Sequence, residues 1–171
     1  MIRQVISGAA LQIVPKNIAR QRSELEAVVL PLLRGHIFHV SGEAAFHEIA
    51  RARRIEGKRQ AQFISAFGSA EKSYGGKRGW VSLFDLSNPA DAYIKEALIS
   101  YYFFKGFLST TSSIYLLFIA ESAWSSLISW QYARREVGQR ETYIPFVETW
   151  YPGDIPLDLV DQTVMVTVQP A

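Results

Sequence analysis

Tyr143-Ile-Pro-Phe-Val-Glu148-Thr-Trp150-Tyr-Pro-Gly-Asp154-Ile-Pro-Leu-Asp-Leu-Val160-Asp-Gln-Thr-Val-Met-Val-Thr-Val168 reads as a β-strand, a Pro-Gly-Asp turn, a short helical step and a final β-branched strand. One carboxylate interrupts the first strand. Side chains alternate along a strand, so this reading places Glu148 on one face with Ile144, Phe146 and Trp150. A charge on an apolar face pays desolvation unless something is gained. Glu148 is therefore the first candidate for chemistry; the alternative is a solvated carboxylate at an open strand end.

Working outward, the 171-residue chain is long enough for a single compact domain that buries roughly two-thirds of its unfolded surface. At 49% hydrophobic and 20% charged it has an ordinary globular composition, and 13% aromatics can close a core or line a pocket. Net charge is only +2, yet the basic residues cluster (Arg51, Arg53, Arg54, Lys58 and Arg59; Lys72, Lys77 and Arg78; Arg134, Arg135 and Arg140), and such patches attract phosphates locally. The chain has no cysteine, which excludes disulfides, thiolate metal sites and cysteine nucleophiles. The first fifteen residues hold a short apolar run with little of a charged n-region and no convincing small-residue cleavage site, so an intracellular, cytoplasmic protein is expected. The apolar stretch from Ala97 to Ala120 is broken by Lys105-Gly106 and Ser109-Thr-Thr-Ser-Ser113 and is read as helix, turn and strand, not a membrane span.

In chain order, a short strand is expected within residues 1–14 and a helix over Pro15 to Leu33, with Leu25, Val28, Val29, Leu32 and Leu33 buried. Residues 1–34 form an accessory segment on this reading, and 35–171 the main domain. Gly35-His-Ile-Phe-His-Val-Ser41 alternates as a strand with Ile37, His39 and Ser41 on one face. Ser41-Gly-Glu43 opens a helix to about Arg54 with Gly57 as its stop. Lys58 to Lys72 fits either a short helix or a strand. Ser73-Tyr-Gly-Gly-Lys-Arg-Gly79 is expected as a flexible glycine loop, Trp80 to Leu86 as a strand, and Asp91 to Phe107 as a helix opened by Ser87 or Asn88 and Pro89. Ser113 to Ala120 is a strand buried on both faces, and Glu121 to Arg135 an amphipathic helix ended by Gly138. No repeat or linker divides the chain. The fold class is α+β, with a central split or mixed sheet flanked by helices.

Several motifs fail on inspection. His47-Glu48 begins like a zinc-protease helix, but Arg51 stands where the second histidine belongs; no metal site is expected. Gly76-Lys77 lacks the Ser or Thr of a phosphate-binding loop, because Arg78 follows it and Glu71 replaces the first glycine. Ser69 lacks the downstream glycine of a nucleophile elbow.

What remains is an ordered set: Phe38-His-Val-Ser41; then Tyr74-Gly-Gly-Lys-Arg-Gly-Trp-Val-Ser-Leu-Phe-Asp85 with Asp91-Ala-Tyr93 beyond; then Phe146-Val-Glu-Thr-Trp150 followed by Ile155-Pro-Leu-Asp-Leu-Val160. In this order the motifs resemble the histidine–tyrosine–glutamate branch of the ADP-ribosyltransferases, similar both to the poly(ADP-ribose) polymerase catalytic core and to bacterial toxins that modify nucleic acids. The resemblance spans about residues 35–168.

It implies an ADP-ribosyltransferase-like split sheet and NAD as co-substrate. It implies that His39 hydrogen-bonds the adenosine ribose, that the Val40 backbone holds the nicotinamide amide, and that Glu148 bonds the nicotinamide ribose as the catalytic residue. Ser41 and Ser82 join the NAD-binding set, and the ring that stacks on nicotinamide is Tyr93 or Tyr74. These roles suit the residue types. Breaking the glycosidic C–N bond builds positive charge on the ribose, which a carboxylate stabilises best where water is excluded; an aromatic face offers a stacking platform. Phe146 stands where transferases that modify arginine often carry Gln or Glu, which argues against an arginine acceptor. The function expected is mono-ADP-ribosylation of a nucleic acid or protein by a toxin or defence effector, with an antitoxin as partner if it is a toxin. Two alternatives stand beside it: an NAD-dependent RNA 2′-phosphotransferase, which would not need Glu148, and a non-catalytic nucleotide- or nucleic-acid-binding module.

Overall fold

A computed structural model of the chain describes residues 2–3, 12–57, 73–109, 113–137 and 143–169. Its centre is one mixed sheet of seven strands: β1 (Ile2–Arg3), β2 (Gln12–Ala19), β3 (Ile37–Gly42), β5 (Val81–Asp85), β6 (Ile114–Ile119), β7 (Glu148–Tyr151) and β9 (Val160–Gln169), in the order β1-β2-β9-β6-β3-β5-β7. Among the described strands only β2 and β9 pair in parallel. A second, two-stranded ribbon joins β4 (Arg54–Ile55) to β8 (Ile155–Pro156). The α+β class and the mixed sheet flanked by helices therefore hold. Among the described residues no helix is long and apolar enough to cross a membrane.

The six residues of β6 are all buried because the sheet is covered on both sides. One face carries Phe38, Phe84, Leu116 and Phe118 beneath two helices. The first, α1 (22–33), contains a π-helical turn at Leu25–Val29, just where Pro31 would leave the carbonyl of residue 27 without an amide donor. The second, α4 (92–109), likewise passes through a π-helical stretch at Ile99–Phe103 and packs Ile99, Phe103, Phe104 and Phe107 inward. The opposite face carries Ile37, Leu83 and Leu117 against Phe46 and Ile49 of α2 (Glu43–Ala52) and against the β4–β8 ribbon.

Several expectations are corrected. The helix expected from Pro15 is instead β2, an edge strand beyond Ile13; Pro15 has no amide to donate, and an edge position tolerates that. Residues 12–33 are not a cover laid over the domain: Ile18, Leu25, Val29 and Leu33 belong to the main core. The glycine loop is a helix, α3 (Tyr74–Arg78), whose first turn is capped by the Ser73 hydroxyl accepting from the Gly76 amide and whose end is Gly79 in the left-handed region. α2 stops at Arg53, which adopts φ 59° itself, so Gly57 is not the stop. Gly57 instead packs so closely that an added Cβ would lie 2.1 Å from the Gly79 carbonyl oxygen. Glu121–Ser126 is a 3₁₀ turn, Ile128 bridges to Trp150, and only then does α5 (Trp130–Val137) begin. Tyr132 on α5 is exposed. The expectations for Lys58 to Lys72 and for Gly138 lie outside the described residues.

Candidate active site at the parting of two strands

Strands β3 and β5 are laddered only at Ile37–Asp85 and Phe38–Phe84. From His39 onward they part, and the His39 ring reaches across: its Nδ1–H donates to the Ser82 carbonyl at 3.0 Å. This bond fixes the ring tautomer in the neutral state, with Nε2 as an acceptor. Burial lowers the His39 pKa below the ordinary histidine value, and the bond to Ser82 only partly offsets it, so the ring is neutral at neutral pH. His39, Val40 and Ser82 are each half-buried around this opening. The opening is a split in the sheet flanked by three of the residues singled out from sequence.

Glu148 begins the next strand. The β5–β7 register pairs Phe84 with Glu148 and Ser82 with Trp150. Directly opposed residues share a face, so Glu148 lies on the Phe38, Val40 and Ser82 side, diagonal to Ser82. His39 and Ser41 belong to the other face, and only the parting of the strands brings the imidazole toward Ser82. Glu148 is 4% exposed. Its Oε2 accepts from the Tyr143 amide at 2.5 Å. Burial pushes the carboxyl up to about 7, against the lowering effect of the Tyr143 and Ile144 amides. Glu148 is therefore an apolar-set carboxylate, not a solvated strand end.

The strand does not extend back to Tyr143 as expected. Residues 143–147 form a turn closed by the Val147 and Glu148 amides on the Ile144 carbonyl, with Phe146 at φ 66°. A phenylalanine pays for that conformation, and here its ring packs on Trp130 with centroids 4.2 Å apart. The same turn is tied at its other end, where the Tyr143 hydroxyl donates to the Tyr102 carbonyl at 3.3 Å. Phe146→Ala keeps the strain and loses the ring contact, whereas Phe146→Gly loses both. In denaturant titrations the alanine variant should be the less stable of the two by about 1 kcal/mol. Equal stabilities would show the backbone is not strained.

The remaining candidates separate. Tyr74 has no face to offer nicotinamide: it is fully buried, its ring lies 3.8 Å below the Arg78 guanidinium and against Trp150, and its hydroxyl donates to Glu136 at 2.6 Å. Burial, then the Glu136 bond, push its pKa up to about 12. The expectation of Tyr74 as stacking ring is corrected on that ground. Tyr93 is 89% exposed on α4. Ser41 is buried with its hydroxyl donating to the Gly42 carbonyl. In the basic run at the end of α2, Arg51 pairs with Glu48, Arg53 with Asp158, and Arg54 with Glu56 and Asp154, while Lys58 and Arg59 lie outside the described residues.

Two participants escaped the sequence reading. Lys95 is buried and lies 3.4 Å from Asp85, the residue after Glu148's cross-strand partner; its spacing of four from Ile99, on the buried side of α4, was the available signal. Trp130 supports Phe146 from α5, a long-range pairing with no local signature.

Compared with family models, curated proteins and solved structures, the chain matches none.

Proposed function

We propose that the protein is an NAD-dependent mono-ADP-ribosyltransferase with an ADP-ribosyltransferase-like split sheet, acting on a nucleic acid or protein acceptor. The observation that carries this reading is the buried Glu148 carboxylate one strand from an opening flanked by His39, Val40 and Ser82. Motifs separated by more than a hundred residues in sequence converge on three neighbouring strands.

In this reading NAD enters at the parting of β3 and β5. The His39 Nε2 accepts a hydrogen bond from an adenosine ribose hydroxyl, because Nδ1–H is already committed to the Ser82 carbonyl. The Val40 backbone, freed from the β5 ladder, is available to the nicotinamide amide. As the C–N bond breaks, nicotinamide leaves with the bonding pair and the ribose gains oxocarbenium character. The ionised Glu148 stabilises that charge, and the surrounding apolar packing raises the worth of each such interaction. The acceptor nucleophile then forms the new bond to the ribose carbon and loses its proton to solvent or a base.

The test is free nicotinamide produced from NAD, with and without added nucleic acid or cell extract, by the parent protein and by Glu148→Gln. Release that requires Glu148 is expected. Activity that survives Glu148→Gln points to the phosphotransferase chemistry, and folded protein that binds NAD or RNA without release points to the binding module.

A further inference from the structure

The turn over Glu148 is part of a longer exposed band of aromatic rings. At one end the Arg134 guanidinium lies 5.2 Å above Trp130, which carries Phe146. Phe146 is 44% exposed. Through the turn the band passes to Tyr143, whose hydroxyl is bound to the Tyr102 carbonyl, and then to the Tyr101–Tyr102 ring pair at 4.8 Å. Tyr101 is 67% exposed, and one helical turn on stands exposed Lys105. Each end of the band thus carries a cation, and neither Lys105 nor Arg134 forms an ion pair among the described residues. The band's carboxylate neighbour, Glu148, lies buried beneath the turn.

We propose that this band binds single-stranded nucleic acid, with bases stacking on Tyr101, Tyr102 and Phe146 and phosphates meeting Lys105 and Arg134. Half-exposed rings bracketed by cations match the two chemistries of a single strand, π-faces and regularly spaced anions. A duplex hides its base faces and offers only phosphate. A protein partner would gain little from the cations, and in the other basic clusters Arg51, Arg53, Arg54 and Arg78 are already ion-paired to acidic side chains. The proposal rests on the transferase reading only for what the bound strand is for, namely delivery of the acceptor to Glu148.

The experiment is fluorescence anisotropy with a short labelled mixed-sequence oligonucleotide, as DNA and as RNA, single-stranded and as the duplex, without NAD. Single strands should bind at least tenfold more tightly than the duplex. Replacing both tyrosines by leucine (Tyr101→Leu with Tyr102→Leu) should weaken binding about tenfold or more, while the paired phenylalanine replacement should retain it. Lys105→Gln with Arg134→Gln should flatten the dependence of log affinity on log salt by about 1.4. Equal binding of duplex, or leucine variants that bind as the parent does, would overturn the proposal. So would an absence of oligonucleotide binding accompanied by self-association that the leucine pair abolishes, which would give the band to a second copy of the chain. None of these readouts needs NAD: failed strand binding leaves Glu148-dependent nicotinamide release standing, and failed release leaves strand binding standing.

Discussion

Glu148→Gln should lower nicotinamide release from NAD by about 100-fold or more and at the same time make the protein more stable at neutral pH. The two effects have one cause. In the unfolded chain the carboxyl has its ordinary value of 4.5; burial in the folded protein pushes it up to about 7. The folded state therefore holds the proton more tightly than the unfolded state does. Stability associated with this group is fully present below about pH 4.5, is lost as pH rises toward 7, and stays lost above it. The total loss is about 3 kcal/mol. Glutamine retains a carbonyl oxygen for the Tyr143 amide but carries no charge. The variant should match the parent near pH 4.5 and exceed it in denaturant titrations at pH 8 by up to that amount. If the ionised form is what stabilises the ribose cation, release by the parent should rise with pH through about 7 and level off above it. A variant that is inactive and less stable at every pH would instead mean that Glu148 is a structural carboxylate.

The sequence features that were legible are those whose information is local. β6 could be read from its unbroken apolar run, β9 from its β-branched residues, and α2 from the spacing of Phe46, Ile49 and Ala50. Glu148 stood out because a carboxylate among Phe146, Val147 and Trp150 conflicts with its surroundings, and that conflict survives in the structure as burial. What could not be read depends on partners far along the chain. Pro15 suits a helix start and an edge strand equally well; β9, more than 140 residues on, decides for the strand. Alternation placed Phe146 in the strand, but its left-handed backbone is held by Trp130 from another element. Tyr74 beside two glycines looks like a loop residue, and distant Glu136 and Trp150 help bury it. Of the candidate residues, His39, Val40 and Ser82 meet at the parting of β3 and β5, which only the register reveals, as it does the commitment of the His39 Nδ1–H to Ser82.

Gly75→Ala should destabilise the protein, although the same change in the interior of an ordinary helix stabilises by about 1 kcal/mol. An alanine Cβ at Gly75 would lie 2.4 Å from Trp150 Cδ1 and 3.1 Å from Ser82 Oγ. Trp150 cannot yield: it is fully buried, its ring meets Tyr74, and its backbone exchanges two hydrogen bonds with Ile128. The helix must lift instead, which strains the Trp80 amide's bond to the Gly75 carbonyl at the entry to β5. Overpacking of this kind costs about 1–3 kcal/mol, more than the propensity gain at its upper end, and should lower the melting temperature by several degrees. Because Ser82 sits against the same glycine and its carbonyl holds His39, the NAD binding proposed above should weaken along with stability. Adding Trp150→Ala, which removes the obstructing Cδ1 and Nε1, leaves a cavity of its own but relieves the clash, so that the two substitutions together should cost less than the sum of their separate effects. Thermal unfolding of the parent, the two single variants and the pair checks this. A stabilised Gly75→Ala, or strict additivity, would mean that the glycines of this run serve chain flexibility after all and not the close approach of α3 to the β5–β7 edge.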